Sequence, residues 1–172
     1  MSFDFHFRGL QEKKELTDLI NFLSAQDLGY PRYDEWIQKT ERELDSGYKK
    51  AILAFSDNKL VGDLVFQQHK EISCFVELKN LRIHPDLRIR DFGRFMLRQA
   101  EVESREKYDA IICDTHANQT NIVNFLENMG YSPLAIFPLY DQNTPELVMV
   151  KFLNPNKKEY LLPRALKSLT EK

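Results

Sequence analysis

Apolar residues recur along this chain with two periods, and the points where one gives way to the other mark out its elements. FDFHF (3–7) alternates apolar and polar positions and predicts a strand. Between Gln11 and Gln26, Leu16, Leu19, Ile20 and Leu23 fall at helical spacing. Pro31 interrupts that period, and the run from Arg32 to Gly47 predicts a second helix with glycine at its end. Three strand-like segments follow, at 50–59, 59–68 and 72–83, with polar turns between them; they read as an antiparallel meander ending at His84-Pro85. Beyond Pro85 the helical period returns. Phe92, Phe95, Met96 and Ala100 form an apolar face, opposite Arg94, Arg98, Glu101 and Arg105. DAIICDT (109–115) predicts a buried strand. Residues 119–130 predict a helix with Ile122, Phe125, Leu126 and Met129 on one stripe and Gly130 as its left-handed stop. Two strands, 131–140 and 145–153, close the pattern. A strand-helix-strand crossover beside a meander implies an α/β fold: a central mixed, mostly antiparallel sheet of about seven strands with helices on both faces. The expected layout is one domain over 1–153 and a polar tail or short helix over 154–172.

Composition narrows the classes of function. A chain of 172 residues, 42% hydrophobic, can bury one substantial core. Its net charge of −2 argues against a protein that coats nucleic acid, so any positive field must be local. Cys74 and Cys113 are too few and too far apart for a disulfide scaffold or thiolate metal site, and His6, His69, His84 and His116 show no metal-ligand spacing; no metal is expected. The start MSFDFHFRGL lacks signal-peptide character, and no apolar run approaches the ~20 residues that cross a bilayer. A soluble cytoplasmic protein without membrane or nucleic-acid partners is the expectation.

Local positive charge is found in HPDLRIRDFGR (84–94), where Arg88, Arg90 and Arg94 surround Gly93 at a strand-to-helix turn. Unsatisfied amides and the macrodipole at a helix start attract anions, glycine admits close approach, and arginines add charge-assisted bonds to phosphate oxygens. A solvated turn whose arginines pair with Glu101, Glu103 or other acids is the alternative.

The run LRIHPDLRIRDFGRFMLRQAE (81–101) resembles the signature of the GNAT superfamily of N-acetyltransferases, with Leu81, Ile83, Pro85, Arg88 and Gly93 on matching positions. QTNIVNFLENMGY (119–131) resembles the second motif of that family at Phe125, Gly130 and Tyr131. The resemblance covers most of residues 1–153. It implies acetyl-CoA as donor, with the pyrophosphate on the amides of Arg88, Ile89, Arg90, Asp91, Phe92, Gly93 and Arg94. It also implies main-chain pairing of Leu81, Arg82 and Ile83 with the pantetheine arm, contact from Gln119, and a primary-amine acceptor, small molecule or protein. A homodimer is compatible with its paired terminal strands.

Three positions depart from the family pattern. Asp91 replaces the first loop glycine, where a carboxylate repels phosphate unless it turns toward an arginine. Gln119 stands for an asparagine, with the same amide on a longer arm. Leu126 replaces the tyrosine that often protonates the departing thiolate; leucine donates no proton and belongs to the core. Tyr131 and Tyr140 are the remaining candidate phenols. Glu77 and Asp114 match the general-base positions of two branches of the superfamily, and an amine must lose a proton to attack. Cys113 reads as inert core, and His69 and His116 as ordinary surface histidines. Tyr30, Tyr33 and Trp36 with Asp34, Glu35, Glu41, Glu43 and Asp45 form an acidic, aromatic stretch suited to a cation. A non-catalytic acyl-CoA sensor and an aminoacyl-tRNA acetyltransferase are the competing readings.

Overall fold

The computed structural model describes residues 4–26, 29–88 and 91–170. Its elements follow the predicted order: β1 (Phe5–Gly9), α1 (Lys13–Ser24), α2 (Tyr33–Asp45), β2 (Lys49–Ser56), β3 (Lys59–Gln68), β4 (Phe75–Ile83), α3 (Phe92–Ser104), β5 (Ala110–His116), α4 (Thr120–Asn128), β6 (Ser132–Asp141), β7 (Thr144–Phe152) and α5 (Lys158–Thr170). The sheet has seven strands in the order β1-β2-β3-β4-β5-β7-β6. β4 and β5 pair in parallel, whereas β1–β2, β2–β3, β5–β7 and β6–β7 pair antiparallel. This is the mixed sheet implied by the pattern. The chain forms two compact units, Met1–Gln67 with Lys79–Ala100, and Gln68–Leu78 with Glu101–Lys172.

In the first unit, Leu16, Leu19 and Leu23 of α1 and Tyr33, Ile37 and Leu44 of α2 bury Ala51, Leu53 and Phe55 of β2 with Val65 of β3. α1 starts at a capping box: Glu15 accepts from the amides of Gln11 and Glu12 and is gripped by Arg8. The guanidinium contact and amide donors hold the Glu15 carboxyl down at about 2, against the opposing effect of burial. On the other face of β1, Phe92 of α3 packs edge-on against Phe5 and Phe7 at 5.0 and 5.3 Å. Asp57 and Asn58, both at positive φ, form the two-residue turn between β2 and β3, the geometry that matches strand twist.

In the second unit, Leu161, Ala165 and Leu169 of α5 cover Ala110 and Ile112 of β5 with Val148 and Val150 of β7. Lys151, on the opposite face of β7, bonds Glu101 at 2.7 Å and the carbonyl of Met129 at 2.6 Å, and lies over the ring of Tyr131. The end of α3 is thereby tied to β7 and to the end of α4. Glu101, placed by periodicity on the solvent face, is buried by this bond, and Phe95, placed in the core, is 55% exposed. The stripe of α3 that is buried runs through Phe92, Met96, Leu97 and Ala100 to Glu101. Ile122 likewise sits outside, leaving Leu126 and Met129 as the buried members of its stripe. No helix among the described residues is long and apolar enough to cross a membrane.

Gly62 in β3 has no room for a side chain. A Cβ there would stand 2.8 Å from Cδ1 of Ile83 and 2.9 Å from the carbonyl oxygen of Arg82. Gly62→Ala therefore pushes against backbone of β4 and is expected to cost about 1–3 kcal/mol, read as a lowered urea midpoint with unchanged m-value. An unaltered midpoint would show that β4 yields without cost.

Candidate active site

β4 ends in the first unit at Leu81–Ile83, and the chain turns through a 3-10 turn at Pro85–Leu87 before α3. His84 anchors the turn: its amide donates to the Val61 carbonyl at 2.7 Å, and its Nδ1 accepts from the Asp86 amide at 3.4 Å. Arg88 is exposed and donates through Nε to the Ile83 carbonyl at 3.4 Å. Ile89 and Arg90 lie outside the described residues. Asp91 holds φ +58, the left-handed conformation for which glycine is the usual choice and aspartate a tolerated one. Its Oδ1 lies 3.2 Å from Nε of Arg94, one turn into α3, and its carbonyl accepts the Phe95 amide at 3.1 Å. The carboxylate is thus engaged by an arginine of its own helix. Phe92, Gly93 and Arg94 open α3, the part of a helix whose amides lie ahead of its first intrahelical bond, here Phe95 to Asp91. That is the arrangement an anionic group requires.

Arg82 contributes only main chain to this corner. Its side chain is buried and runs the other way, where Nη1 reaches the carbonyls of Gln26 and Leu23 at the end of α1. Its Nε donates to Asn80 Oδ1 at 3.0 Å, Asn80 donates to Asp63 Oδ2 at 2.6 Å, and the guanidinium lies 5.0 Å from the centre of the Tyr33 ring. Asp63 is fully buried, and its Oδ1 has no hydrogen bond. Burial pushes its carboxyl up to about 7, although the Asn80 bond and Arg82 charge pull the other way.

The acidic, aromatic stretch is largely satisfied from within the protein. Tyr33 is buried, stacks on Trp36 at 5.6 Å and donates its hydroxyl to Leu23. Lys49 lies over Trp36 and bonds Glu43, while Glu35 pairs with Arg32. Its aromatic faces and several of its acids are therefore occupied by the chain's own cations.

In the second unit, β4 and β5 share a short parallel ladder, Phe75↔Ala110 to Glu77↔Ile112. Glu77 is half-buried opposite Ile112, and Asp114 stands two residues further along β5, on the same face. Asp114 Oδ1 accepts from the Tyr140 hydroxyl of β6 at 3.3 Å. His116, again on that face, is opposite Glu146 of β7, with Nδ1 3.8 Å from Oε1. Gln119 is the N-cap of α4; its side chain is exposed and makes no capping bond. Leu126 is core. Burial drives the Cys113 thiol far above its ordinary range. His69 is buried and accepts the Glu71 and Ile72 amides on Nδ1, a turn anchor rather than a surface histidine. Among the described residues no cluster of histidines, cysteines or acids could hold a metal.

The buried carboxylates Asp63 and Glu146 are not singled out by the sequence reading. The available signal was phase: Asp63 falls in step with buried Val61 and Val65, and Glu146 in step with Val148 and Val150. A carboxylate in phase with a buried strand face implies a polar partner.

The model for the acetyltransferase (GNAT) family matches residues 15–131, and the chain belongs to that family. Solved structures agree in fold. The aminoglycoside 6'-N-acetyltransferase from Enterococcus faecium aligns at TM-score 0.72 and 16% identity over 87% of this chain and 98% of its own. The ribosomal-protein-S18-alanine N-acetyltransferase from Escherichia coli aligns at TM-score 0.68 and 14% identity, over 88% and 95%. An aminoglycoside 6'-N-acetyltransferase complexed with coenzyme A aligns at TM-score 0.69 and 15% identity, over 87% and 98%. No curated protein sequence matches the chain significantly.

The Asp63 carboxyl sets a pH dependence whose sign is fixed. Its folded value of about 7 lies above its ordinary 3.8, so the folded state holds a proton that the unfolded chain releases. Stability is therefore full below pH ~4, falls as pH rises toward ~7, and is flat beyond. Urea unfolding at pH 5 and 8 is expected to show a loss of roughly 1–4 kcal/mol in the wild type, and Asp63→Asn to remove most of it. Equal losses in both proteins would overturn the assignment.

Proposed function

We propose that the protein transfers the acetyl group of acetyl-CoA to a primary amine. The observation that carries the proposal is the start of α3, where the left-handed Asp91 turns its carboxylate onto Arg94 and leaves the helix opening at Phe92–Arg94 to receive an anion. Arg88, Asp91 through its main chain, and Phe92–Arg94 receive the pyrophosphate. Leu81, Arg82 and Ile83 offer main-chain donors and acceptors to the pantetheine arm. Gln119 contributes its uncommitted amide. A backbone donor aimed at the thioester oxygen stabilises the oxyanion without reorganisation.

The acceptor arrives as an ammonium and must lose a proton before its nitrogen attacks. Asp114 and Glu77 share the face of the sheet that could receive it. Asp114 is the first candidate: the Tyr140 hydroxyl orients its carboxylate, at some cost in basicity. With leucine at position 126, the proton that reaches the departing sulfur must come from another group. The transfer works by direct attack within a ternary complex. Cys113, buried and kept in the thiol form, is unsuited to an acyl-enzyme route. Two of the fold relatives are named for aminoglycosides and for a ribosomal protein's alanine, and both kinds of amine belong in a panel of candidate acceptors.

Acetyl-CoA and CoA, each added in a thermal-shift scan, are expected to raise the melting temperature, and Arg94→Ala to reduce the rise. The absence of any shift would discard the reading. Asp91→Gly removes both a left-handed side chain and a negative charge, so it is expected to tighten CoA binding several-fold by calorimetry; weaker binding would mean that Asp91 orders the loop through Arg94. With an aminoglycoside, a polyamine and an alanine-starting peptide as acceptors, Asp114→Asn is expected to lower kcat by about 10²-fold or more and Glu77→Gln by less. Binding of acetyl-CoA without turnover of any amine would favour the sensor reading.

A further inference from the structure

The last hairpin is irregular near its turn. In the β6–β7 ladder Phe137 stands opposite Glu146, and the next matched pair is Asp141 with Thr144. Pro138, Leu139 and Tyr140 therefore face Pro145 alone, a bulge on β6. Neither Pro138 nor Pro145 has an amide to complete the ladder, and the Pro145 carbonyl already accepts the Ala117 amide at 3.0 Å. The Leu139 amide must find its acceptor elsewhere, and it donates to Oε2 of Glu146 at 2.8 Å. Glu146 is fully buried on β7; its Oε1 has no hydrogen bond and lies 3.8 Å from Nδ1 of His116. Burying a carboxyl group costs free energy that a single amide bond offsets only in part. What that burial secures is the hold on Leu139.

The bulge decides where Tyr140 points. Ala135 and Phe137 of β6 pack with Ile112, Val148 and Val150 on the face of the sheet that α5 covers. Strict alternation from Phe137 would put Leu139 on that face and Tyr140 on the opposite one. Instead the Tyr140 hydroxyl donates to Oδ1 of Asp114 at 3.3 Å. Asp114 is two residues beyond Ile112 on β5, so it belongs to the α5-covered face. The Tyr140 side chain thus crosses β7, which lies between β6 and β5 in the sheet. Re-aiming a side chain is what a bulge does. A hydroxyl that donates to a carboxylate favours its ionised form and fixes its orientation.

We propose that Tyr140 and Glu146 are positioning residues for the Asp114 base: Glu146 pins the bulge at Leu139, the bulge sends Tyr140 across β7, and the Tyr140 hydroxyl orients the Asp114 carboxylate and holds it ionised. The inference rests on the acetyl-transfer reading for its kinetic consequence. The linkage itself lies within one compact unit, Gln68–Leu78 with Glu101–Lys172, and exists without substrate. The other titratable groups around Asp114 are Glu77 of β4, Cys113 and His116 of its own strand, and Glu146 of β7, while α5 presents Leu161, Ala165 and Leu169 to this face. Negative charge on Glu77 or Glu146 opposes ionisation of Asp114, and a protonated His116 favours it. These groups are the same in the wild type and in Tyr140→Phe, so comparing the two isolates the hydroxyl. Its loss raises the pH at which Asp114 gives up its proton, and the base becomes competent only at higher pH.

The carboxyl carbon of Asp114, identified with Asp114→Asn, is titrated by ¹³C NMR in labelled protein without substrate. Tyr140→Phe is expected to raise its midpoint by roughly half a unit to one unit, the worth of one hydrogen bond. Glu146→Gln and Glu146→Met both remove the buried carboxyl, but only glutamine keeps an acceptor for the Leu139 amide. Asp114 is therefore expected to titrate higher in Glu146→Met than in Glu146→Gln by the same interval, and the two to coincide when each is combined with Tyr140→Phe. An unmoved midpoint in Tyr140→Phe, or coincidence of the two Glu146 variants with Tyr140 in place, overturns the proposal. Should Glu146→Met not fold, hydrogen exchange at the Leu139 amide decides that arm: protection in the wild type and in Glu146→Gln supports the pin, and exchange at the rate of an open loop overturns it. With the best amine of the panel above, the acid limb of kcat/KM is expected to move to higher pH in Tyr140→Phe by the interval seen in the NMR titration. A limb that stays in place overturns the role in the base. If no amine is turned over, the transfer reading fails, and the NMR titrations still judge the linkage.

Discussion

Desolvation of charge is the constraint around which this molecule is built. Glu15, Lys49, Asp63, Arg82, Glu101 and Glu146 are all buried, and in water each would be stabilised by solvent. Glu15 receives Arg8 and two amides, Lys49 receives Thr40 and Glu43, and Glu101 receives Lys151. Arg82 reaches the carbonyls closing α1 and shares Asn80 with Asp63. These bonds join elements remote in sequence, so the polar interior fixes register where apolar packing alone would tolerate a slip. Asp63 and Glu146 are the incompletely answered members of the set, each with one carboxyl oxygen lacking a hydrogen bond. One reports through pH-dependent stability, the other through the strand it pins.

The architecture was legible from periodicity because local and global preferences agree. Every predicted strand and helix appears, and the 59–68 strand matches its predicted limits. The errors fall on α3 and α4, where amphipathic pattern was read as burial. Phe95 carries an aromatic ring yet lies outside, touching Phe7 at 5.6 Å, while Glu101 lies inside because Lys151, fifty residues on, is there to meet it. A hydrophobicity pattern contains no information about a partner supplied by a distant strand. For the last helix, α5, sequence does not decide between helix and tail, because a polar composition hides the stripe of Leu161, Ala165 and Leu169.

Site residues were legible to the extent that a motif is made of backbone. The course of the turn into α3 could be read from Pro85 and Gly93, since it depends on backbone rather than on side-chain partners. Asp91 shows the limit of such reading. Its identity suggested repulsion of an anion, whereas its conformation reproduces that of glycine and its charge is taken up by Arg94. Glu77 and Asp114 could be named from spacing, but the Tyr140 hydroxyl beside Asp114 depends on how β6 folds back. His116 looked like a surface residue for the same reason: Glu146 is thirty positions away in the chain and adjacent only once β5 and β7 have paired.

The burial of Cys113 has a practical corollary. A free thiol is a product of the proposed chemistry, and thiol-reactive dyes are the common means of counting it. A protein sulfhydryl that ionises only far above neutrality, and that no reagent can easily approach, contributes little to such a signal. Cys74, partly accessible, is then the main source of protein background. Colour developed beyond that fixed baseline reports coenzyme release, so the molecule is well suited to following its own turnover.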